Sequence, residues 1–496
     1  MTLLLLLSLA FAEDPVEQPA YTEEERVEAF TPFTEAVVQG DTNTALDALV
    51  EILDDDEQVH FHGLAYGSMG GLLESKELPY AALAAWSKGI ELDPDNNGSS
   101  VKPALAVAEK VGDTAFLEKV FATNVGLDVD KETRGRLAYL AARGSYDQGN
   151  YATTLGILTL VAKDDPHFAR AQSLKGIVLA QQGKYNEAMA AFLTAQALVQ
   201  EDPETLDVVN LNLARTYYAA GNYAKSIEFY AKVRRDSHWW PEAQFERAWA
   251  HFMIEDINGA LGLLHNHVSP YYQDWYFPEA QLLRTYSLFL ICKFPEASKQ
   301  IDAFQDQWTP VRDEMDDVLG PMSNQDTFED ARAYVEGDHH QLPEMIWRDL
   351  PENERFLSAI QAVDAAQVEL DRLQGERASW AQVAFNLVRE RRKEIVLGEG
   401  ERLKDQAQLS VDELTSMLND TEIAKLDMLK LETRLYEQAS MTGKLADIER
   451  TAMRRERVRR GFVAWPYEGE YWVDEVGYYK VNARPECPEG LMTGSD

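Results

Sequence analysis

Cysteine is almost absent from this chain: Cys292 and Cys487 are the only two in 496 residues. Two are too few for a disulfide-built fold, so a chain of this length has to stand on a hydrophobic core. An oxidising compartment would permit a Cys292–Cys487 bridge tying the tail to the rest. Two unpaired thiols, one in a helix turn and one in a loose tail, is the plainer reading, because pairing cannot be deduced from sequence. Positive charge is scarce as well, with 47 Lys and Arg against 84 Asp and Glu and a formal net charge of −37. Nucleic-acid binding rests on neutralising phosphates with Lys and Arg, so no nucleic-acid partner is expected, and an anionic membrane surface would repel the chain. A basic protein partner would be attracted. Past the N-terminus there is no run of about 18 apolar residues, hence no expected transmembrane segment. A Gly-rich phosphate loop, a nucleophile elbow and a Cys–His metal motif are all missing. His60 and His62, His265 and His267, and His339 and His340 are close pairs, but helical metal ligands need i, i+4 spacing and a third donor. No metal, no cofactor and no catalytic residue is expected.

The N-terminus does carry a short apolar run, Leu3 to Leu7 followed by Ser8, Leu9 and Ala10. It ends in Ala10-Phe11-Ala12, a small-x-small cleavage signature, although no Lys or Arg precedes it. Residues 1–12 read as a secretory signal peptide, and 13–27, acidic and proline-punctuated, as a mobile leader.

The dominant positive signal is a pattern returning every 34 to 38 residues, the period of an α-helical solenoid. Its clearest copy is Gly176, Leu179, Gly183, Tyr185, Ala188, Phe192 and Ala195. Small residues let two helices approach, and large ones fill the space up to the next helix. Further copies are marked by Gly149, Tyr151 and Pro166; by Gly221, Tyr223 and Tyr230; by Ala248, Ala260 and Leu264; and by Leu288, Phe294, Ala297 and Ile301. Earlier copies include Gly40 and Leu49, Gly70 and Trp86, and Gly112, Leu117 and Phe121, while Thr154 and Ser226 stand where alanine is usual. On these residues the stretch 28–308 resembles the tetratricopeptide-repeat family in about eight copies, in the manner of an exported bacterial protein. The resemblance implies an all-α solenoid, a right-handed superhelix of helix pairs that binds proteins or peptides without catalysis.

Periodicity fades over 309–350, where Gly320-Pro321, Gly337 and His339-His340 suggest a connector with one or two short helices. Residues 351–460 read as long helices, a hairpin or coiled coil, with Ile360, Val363, Leu370 and Leu373 and then Leu418, Leu426, Leu429, Leu435, Leu445 and Ile448 at three- and four-residue intervals. Gly398-Glu399-Gly400 marks a turn or kink, and Ser410 with Glu413 a capping box. Arg450, Arg454, Arg455, Arg457, Arg459 and Arg460 precede the tail and would complement a helix C-terminus. The tail, 461–496, is dense in aromatics, including Trp465, Tyr467, Tyr471, Trp472, Tyr478 and Tyr479, and reads as a short hairpin or extended segment.

In the family the concave groove is lined from the first helix of each repeat. Carried onto this chain, the resemblance implies a partner-binding groove of Arg215, Tyr218, Glu242, Phe245, Trp249, Phe252, Tyr286 and Phe289. Rigid aromatics bury large area at small entropic cost, which suits a docked peptide. The competing reading is that the chain's own C-terminal helices fill the groove. The two-carboxylate clamp of chaperone-binding members is disfavoured, because Ser173, Ile177, Asn212, Glu242 and Glu246 stand at its positions and glutamates repel a carboxylate. The functional expectation is a scaffold for protein partners in the cell envelope, in the bacterial periplasm, within a larger envelope or motility assembly. The rival is a cell-wall or polysaccharide-binding protein whose tail offers rings for sugar stacking and Glu470, Asp474 and Glu475 for hydroxyl groups. Asn97-Gly-Ser99 and Asn419-Asp-Thr421 would accept glycans only in a eukaryotic secretory host.

Overall fold

A computed structural model describes residues 22–113, 115, 129–272, 275–442 and 471–487. The signal-peptide run, the leader up to residue 21, Leu117 and Phe121, Leu445 and Ile448, the arginine group 450–460, and Trp465, Tyr467 and Glu470 lie outside them. The described residues are helical apart from turns and the stretch 471–487, with no strand among them. The α-solenoid expectation is met, and the described part of the tail, 471–487, forms no strand and turns at 473–477.

Two compact units divide the chain, one from Met1–Gln148 with Ser358–Ile395, the other from Gly149–Leu357 with Val396–Asp496. The first contains α1 (Glu23–Gln39), α2 (Thr42–Leu53), α3 (His62–Ser75), α4 (Pro79–Leu92), α5 (Gly98–Val111) and α6 (Lys131–Asp147). The second contains α7 (Tyr151–Leu158), α8 (Phe168–Gln181), α9 (Tyr185–Leu198), α10 (Pro203–Ala219), α11 (Tyr223–Tyr230), α12 (Trp240–Met253), α13 (Ile257–His267), α14 (Pro278–Leu290), α15 (Phe294–Leu319), α16 (Asn324–Glu336) and α17 (Glu344–Trp347). Two longer helices follow, α18 (Glu354–Leu373) and α19 (Ser379–Thr442), each contributing residues to both units.

Helix α1 opens on a capping box between Thr22 and Glu25 and closes on left-handed Gly40, so the first helix begins inside the stretch expected to be leader. That closure recurs. Gly40, Glu77, Gly112, Gly149, Gly183, Gly221, Glu255 and Cys292 all have positive φ, at intervals of 34 to 38 residues. Each ends the first helix of a pair, and the two amides at the turn point back to that helix, as in Gly183 N to Ala180 O at 2.9 Å and Lys184 N to Leu179 O at 2.9 Å. The period seen in the sequence is therefore the period of a left-handed helix cap, which favours glycine and tolerates other residues at a cost of about 1–2 kcal/mol.

Packing within the pairs explains the small–large alternation. A Cβ on Gly70 would lie 2.4 Å from the Trp86 ring, and one on Gly176 would lie 2.7 Å from the Phe192 ring. Both rings are buried, and in each pair the large residue sits against the glycine 16 positions before it. Thr154 and Ser226, standing in for alanine, are fully buried at 0% exposure, so size rather than polarity is what the slot selects.

The segment 309–350 holds the second half of α15, all of α16 and all of α17. Of the turn and the kinked continuation expected at Gly398-Glu399-Gly400, the turn does not form, nor does a new helix start at Ser410, because α19 runs on across both. Gly400 is instead a point of close approach: a Cβ there would lie 1.8 Å from the Asn324 carbonyl oxygen at the start of α16. The face assignment also shifts. Leu418 is buried, yet Leu426 and Leu429 are 59% and 52% exposed. The helix turns Thr421, Met428 and, partly, Ala424 and Leu431 inward, a stripe offset from the leucines.

Candidate functional site

The expected groove residues fall on α10, α12 and α14 of the second unit. Arg215 on α10 holds two carboxylates of α12: its Nε lies 2.9 Å from each oxygen of Glu246, and its Nη2 is 2.5 Å from Glu242 and 2.7 Å from Glu246. Burial opposes the charge on Arg215, but the hydrogen bonds and charge of Glu246, then of Glu242, outweigh it and raise the guanidinium's pKa. Burial raises the pKa of Glu242, with Arg215 opposing. Glu279 on α14 is raised too, first by burial and then by Glu413 and Glu246. Two carboxylates thus share one guanidinium, and Glu279 adds a third acid that feels the charge of Glu246.

Aromatics flank it. Tyr218 packs edge-on to Tyr223 with ring centroids 5.2 Å apart, and Trp249 packs edge-on to Phe252 at 5.7 Å. These rings are half-buried. Phe245 is different: at 9% exposure it belongs to the core with Ala248, Ala260, Leu264 and Leu283, so it supports this surface and does not line it. Tyr286 and Phe289 meet the chain's own α19. Phe289 packs in a cluster with Met428, Ala424 and Leu431, and burial together with Asp420 raises the Tyr286 phenol. Tyr276 donates to the Ser410 carbonyl at 2.9 Å, and Trp308 and Phe304 form a buried cluster with Leu414 and Leu418. On α14, then, Tyr286 and Phe289 face the chain's own α19. Arg215, Tyr218, Glu242, Trp249 and Phe252 remain as the candidate surface.

Residues 167–235, spanning α8 to α11, match the tetratricopeptide repeat family model. These residues are tetratricopeptide repeats. Among solved structures, a tetratricopeptide repeat protein from Parabacteroides merdae is 13% identical, with 53% of this chain and 99% of that chain covered at a TM-score of 0.28. The P58(IPK) TPR domain is 14% identical, with 77% of this chain and 99% of that chain covered at a TM-score of 0.19. No curated protein sequence matches the chain. Tetratricopeptide repeats are protein-interaction scaffolds and typically lack catalysis of their own.

The sequence left open whether the two cysteines pair. Cys292 and Cys487 are bridged, with S–S 2.03 Å, so of the two alternatives the bridge holds and the two free thiols do not. The left-handed turn after α14 places Cys292 between the two helices of a pair, and the tail is laid along α13 to reach it. Asn266 Oδ1 accepts from the Gly477 amide at 2.7 Å, and Asn258 exchanges two bonds with Ala483, at 2.8 and 3.2 Å. Tyr471 stacks on His265 at 5.1 Å and Tyr479 meets the same ring edge-on at 4.6 Å. Val476 is 4% exposed and joins the core beside Trp240 and Ala243. The histidine pair at 265 and 267 is thus used in packing: His267 is buried and its Nε2 bonds the Pro241 carbonyl at 3.0 Å. Among the described residues no group of three or more His, Cys, Asp and Glu could hold a metal ion, and no helix is long and apolar enough to cross a membrane. Asn97 is no glycan acceptor in this fold, since its buried amide donates to the carbonyls of Gly63, Gly89 and Asp93.

Proposed function

We propose that this repeat protein is a non-enzymatic scaffold that recruits a protein partner bearing basic residues to the surface formed by Arg215, Tyr218, Glu242, Trp249 and Phe252. The observation that carries this reading is an acidic, aromatic surface: Glu242 and Glu246 share the guanidinium of Arg215, and Glu279 feels the charge of Glu413 and Glu246. A Lys or Arg side chain entering between half-buried carboxylates would relieve their mutual repulsion, while the rings supply area. The overall charge of −37 steers the same class of partner. The working place we propose is an exported one, a bacterial periplasm, within a larger envelope assembly. Its support is the apolar run at Leu3–Leu7 with its Ala10-Phe11-Ala12 end and the Cys292–Cys487 bridge, since structural disulfides persist in oxidising compartments.

Affinity purification from the native envelope, comparing wild type with a Trp249→Ala/Phe252→Ala variant of unchanged helicity by circular dichroism, tests the surface. Partners lost from the variant identify the complex; an unchanged set sinks this placement of the contact. A second reading, cell-wall or polysaccharide binding, is favoured by one observation: Trp472 and Tyr478 are 59% and 70% exposed beside exposed Asp474 and Glu475 on the tail. Retention on peptidoglycan that disappears with residues 461–496 removed would support that reading over the scaffold.

A further inference from the structure

The tail lies on α13 as a ligand lies in a binding site. Asn258, Gly262, His265 and Asn266 are spaced by four, three and one residues, and all four meet the tail. The two asparagines read peptide backbone, whatever side chain follows: one takes the Gly477 amide, the other both backbone groups of Ala483. Selectivity comes from shape. A Cβ on Gly262 would lie 2.7 Å from the Tyr479 carbonyl oxygen, so only glycine lets the tail approach α13 there. A Cβ on Gly477 would lie 2.7 Å from the Trp240 ring, and its φ is +94°, so the ligand also needs glycine at that step. Val476 fills the apolar recess before it, and Tyr479 meets His265 two residues after it.

Beyond those contacts the end of the tail is fastened at the turn after α14. The Glu486 amide donates to the Ile291 carbonyl at 2.9 Å, Glu486 pairs with Lys293 at 2.7 Å, and Cys487 is bonded to Cys292. Cys292 occupies the left-handed cap position that is glycine in five of the eight turns, where a side chain carries a conformational cost. The cysteine's placement in that slot is explained by the covalent bond it makes. Cys292 is 7% exposed and Cys487 is only partly buried, so an incoming thiolate reaches Cys487 first.

We propose that the outer face of α13 is a binding site for an extended peptide of the pattern apolar–Gly–x–Tyr, filled in cis by residues 471–487 and locked by the Cys292–Cys487 disulfide. A dithiol opens the lock. Its thiolate attacks Cys487 Sγ, forming a mixed disulfide as Cys292 leaves as a thiolate and takes a proton; its second thiol then closes on the first sulfur and releases Cys487. Two electrons pass from the dithiol, which ends as a cyclic disulfide, to the protein, which ends with two thiols. The freed tail then exchanges with a segment of the same pattern in trans. This site is separate from the Arg215 surface and does not depend on it.

The test uses the full chain, oxidised or reduced with dithiothreitol, and as a second reduced-like form the Cys487→Ser variant. Amide exchange at Gly477, Ala483 and Glu486 reads the lock, and a fluorescent peptide of residues 471–486 reads the site. The expected result is slow exchange and no peptide binding when oxidised. After reduction, confirmed by titration of two thiols, and in Cys487→Ser, exchange at the three amides should rise at least tenfold. The peptide should then bind saturably, and its Gly477→Ala form should not. Amides that stay protected in both reduced forms overturn the lock; amides that open without peptide binding, or binding indifferent to Gly477→Ala, overturn the site.

Discussion

The two units hold the C-terminal helices by opposite chemistry. In the first unit the fastening is polar and directional. Helix α4 begins at Leu78-Pro79 without a side-chain cap of its own, and Glu369 of α18 supplies one, accepting from the amides of Tyr80 at 2.6 Å and Ala81 at 2.9 Å. Burial raises the pKa of Glu369, and those two amides oppose the shift. Arg391 of α19 grips Asp113 through Nε at 2.8 Å and Nη2 at 2.7 Å, with Tyr80 donating to the same carboxylate at 2.8 Å. Arg372 donates to the Glu77 carbonyl at 2.8 Å and Gln361 to the Lys110 carbonyl at 2.7 Å, both at the ends of repeat helices. In the second unit the fastening is mainly apolar and covalent, through Trp308, Phe304, Leu414 and Leu418, then Met428 and Ile301, and for the tail the disulfide, with Tyr276 to the Ser410 carbonyl as a polar addition. Exposed helix ends can be claimed by passing side chains with fixed geometry, which sets register; apolar clusters supply stability with looser positional demands.

The comparison can be broken most severely at Asp113. Arg391→Ala leaves a carboxylate that is 2% exposed with Tyr80 as its remaining hydrogen-bond partner, and should cost about 3–5 kcal/mol in denaturant unfolding of the first unit. Trp308→Ala, which empties the centre of the apolar fastening, should cost about 3–5 kcal/mol in the second unit. If the polar variant proves the milder of the two, the contrast drawn between the units is wrong. Gly400→Ala should cost about 1–3 kcal/mol, read as a lowered melting temperature with α19 still helical by circular dichroism, because the clash is with backbone at Asn324.

Acid sharpens the contrast further. Burial pushes both His265, with Arg284 assisting, and His267 down to about 4, from an ordinary value near 6.5. The unfolded chain therefore binds more protons between those values, so the second unit should lose stability as pH falls from about 6.5 towards 4. Arg284, Tyr471 and Tyr479 face His265, and the Pro241 carbonyl, Phe245, Tyr272 and Phe277 face His267. Melting temperatures at pH 7.5 and 5, compared between wild type and a His265→Gln variant, check the sign. The smallest effect belongs to the shared cap slot. Glu77→Gly in the first unit and Glu255→Gly in the second remove a left-handed penalty of about 1–2 kcal/mol against an entropy cost of about 0.5–1 kcal/mol. Each should gain a few tenths to about 1 kcal/mol, and equally, if the turns are equivalent.

The repeats were legible because their rule is local: a left-handed turn at fixed spacing and a small residue facing a ring 16 positions on both leave marks in the sequence. Gly400 misled for the same reason. A glycine that breaks a helix and one that admits a distant backbone look alike until Asn324 is seen beside it. The leucines at 426 and 429 misled because a three–four pattern marks a face without saying which face finds a partner. At the candidate surface, the repeat register placed Arg215, Tyr218, Glu242, Trp249 and Phe252, but nothing local could say that α19 would meet Phe289 or that Phe245 would go to the core. Whether the cysteines pair stayed open because 195 residues separate them and the turn that presents Cys292 is ordinarily a glycine's.

The bridge also makes part of the chain a ring. Everything between Cys292 and Cys487 is enclosed by one covalent closure, and the long helix α19 lies inside it. A single protease cut anywhere in that span would leave both fragments attached, separable only under reducing conditions. A pull applied beyond residue 487 would be carried first by the turn between α14 and α15, bypassing the enclosed helix until that bond is broken.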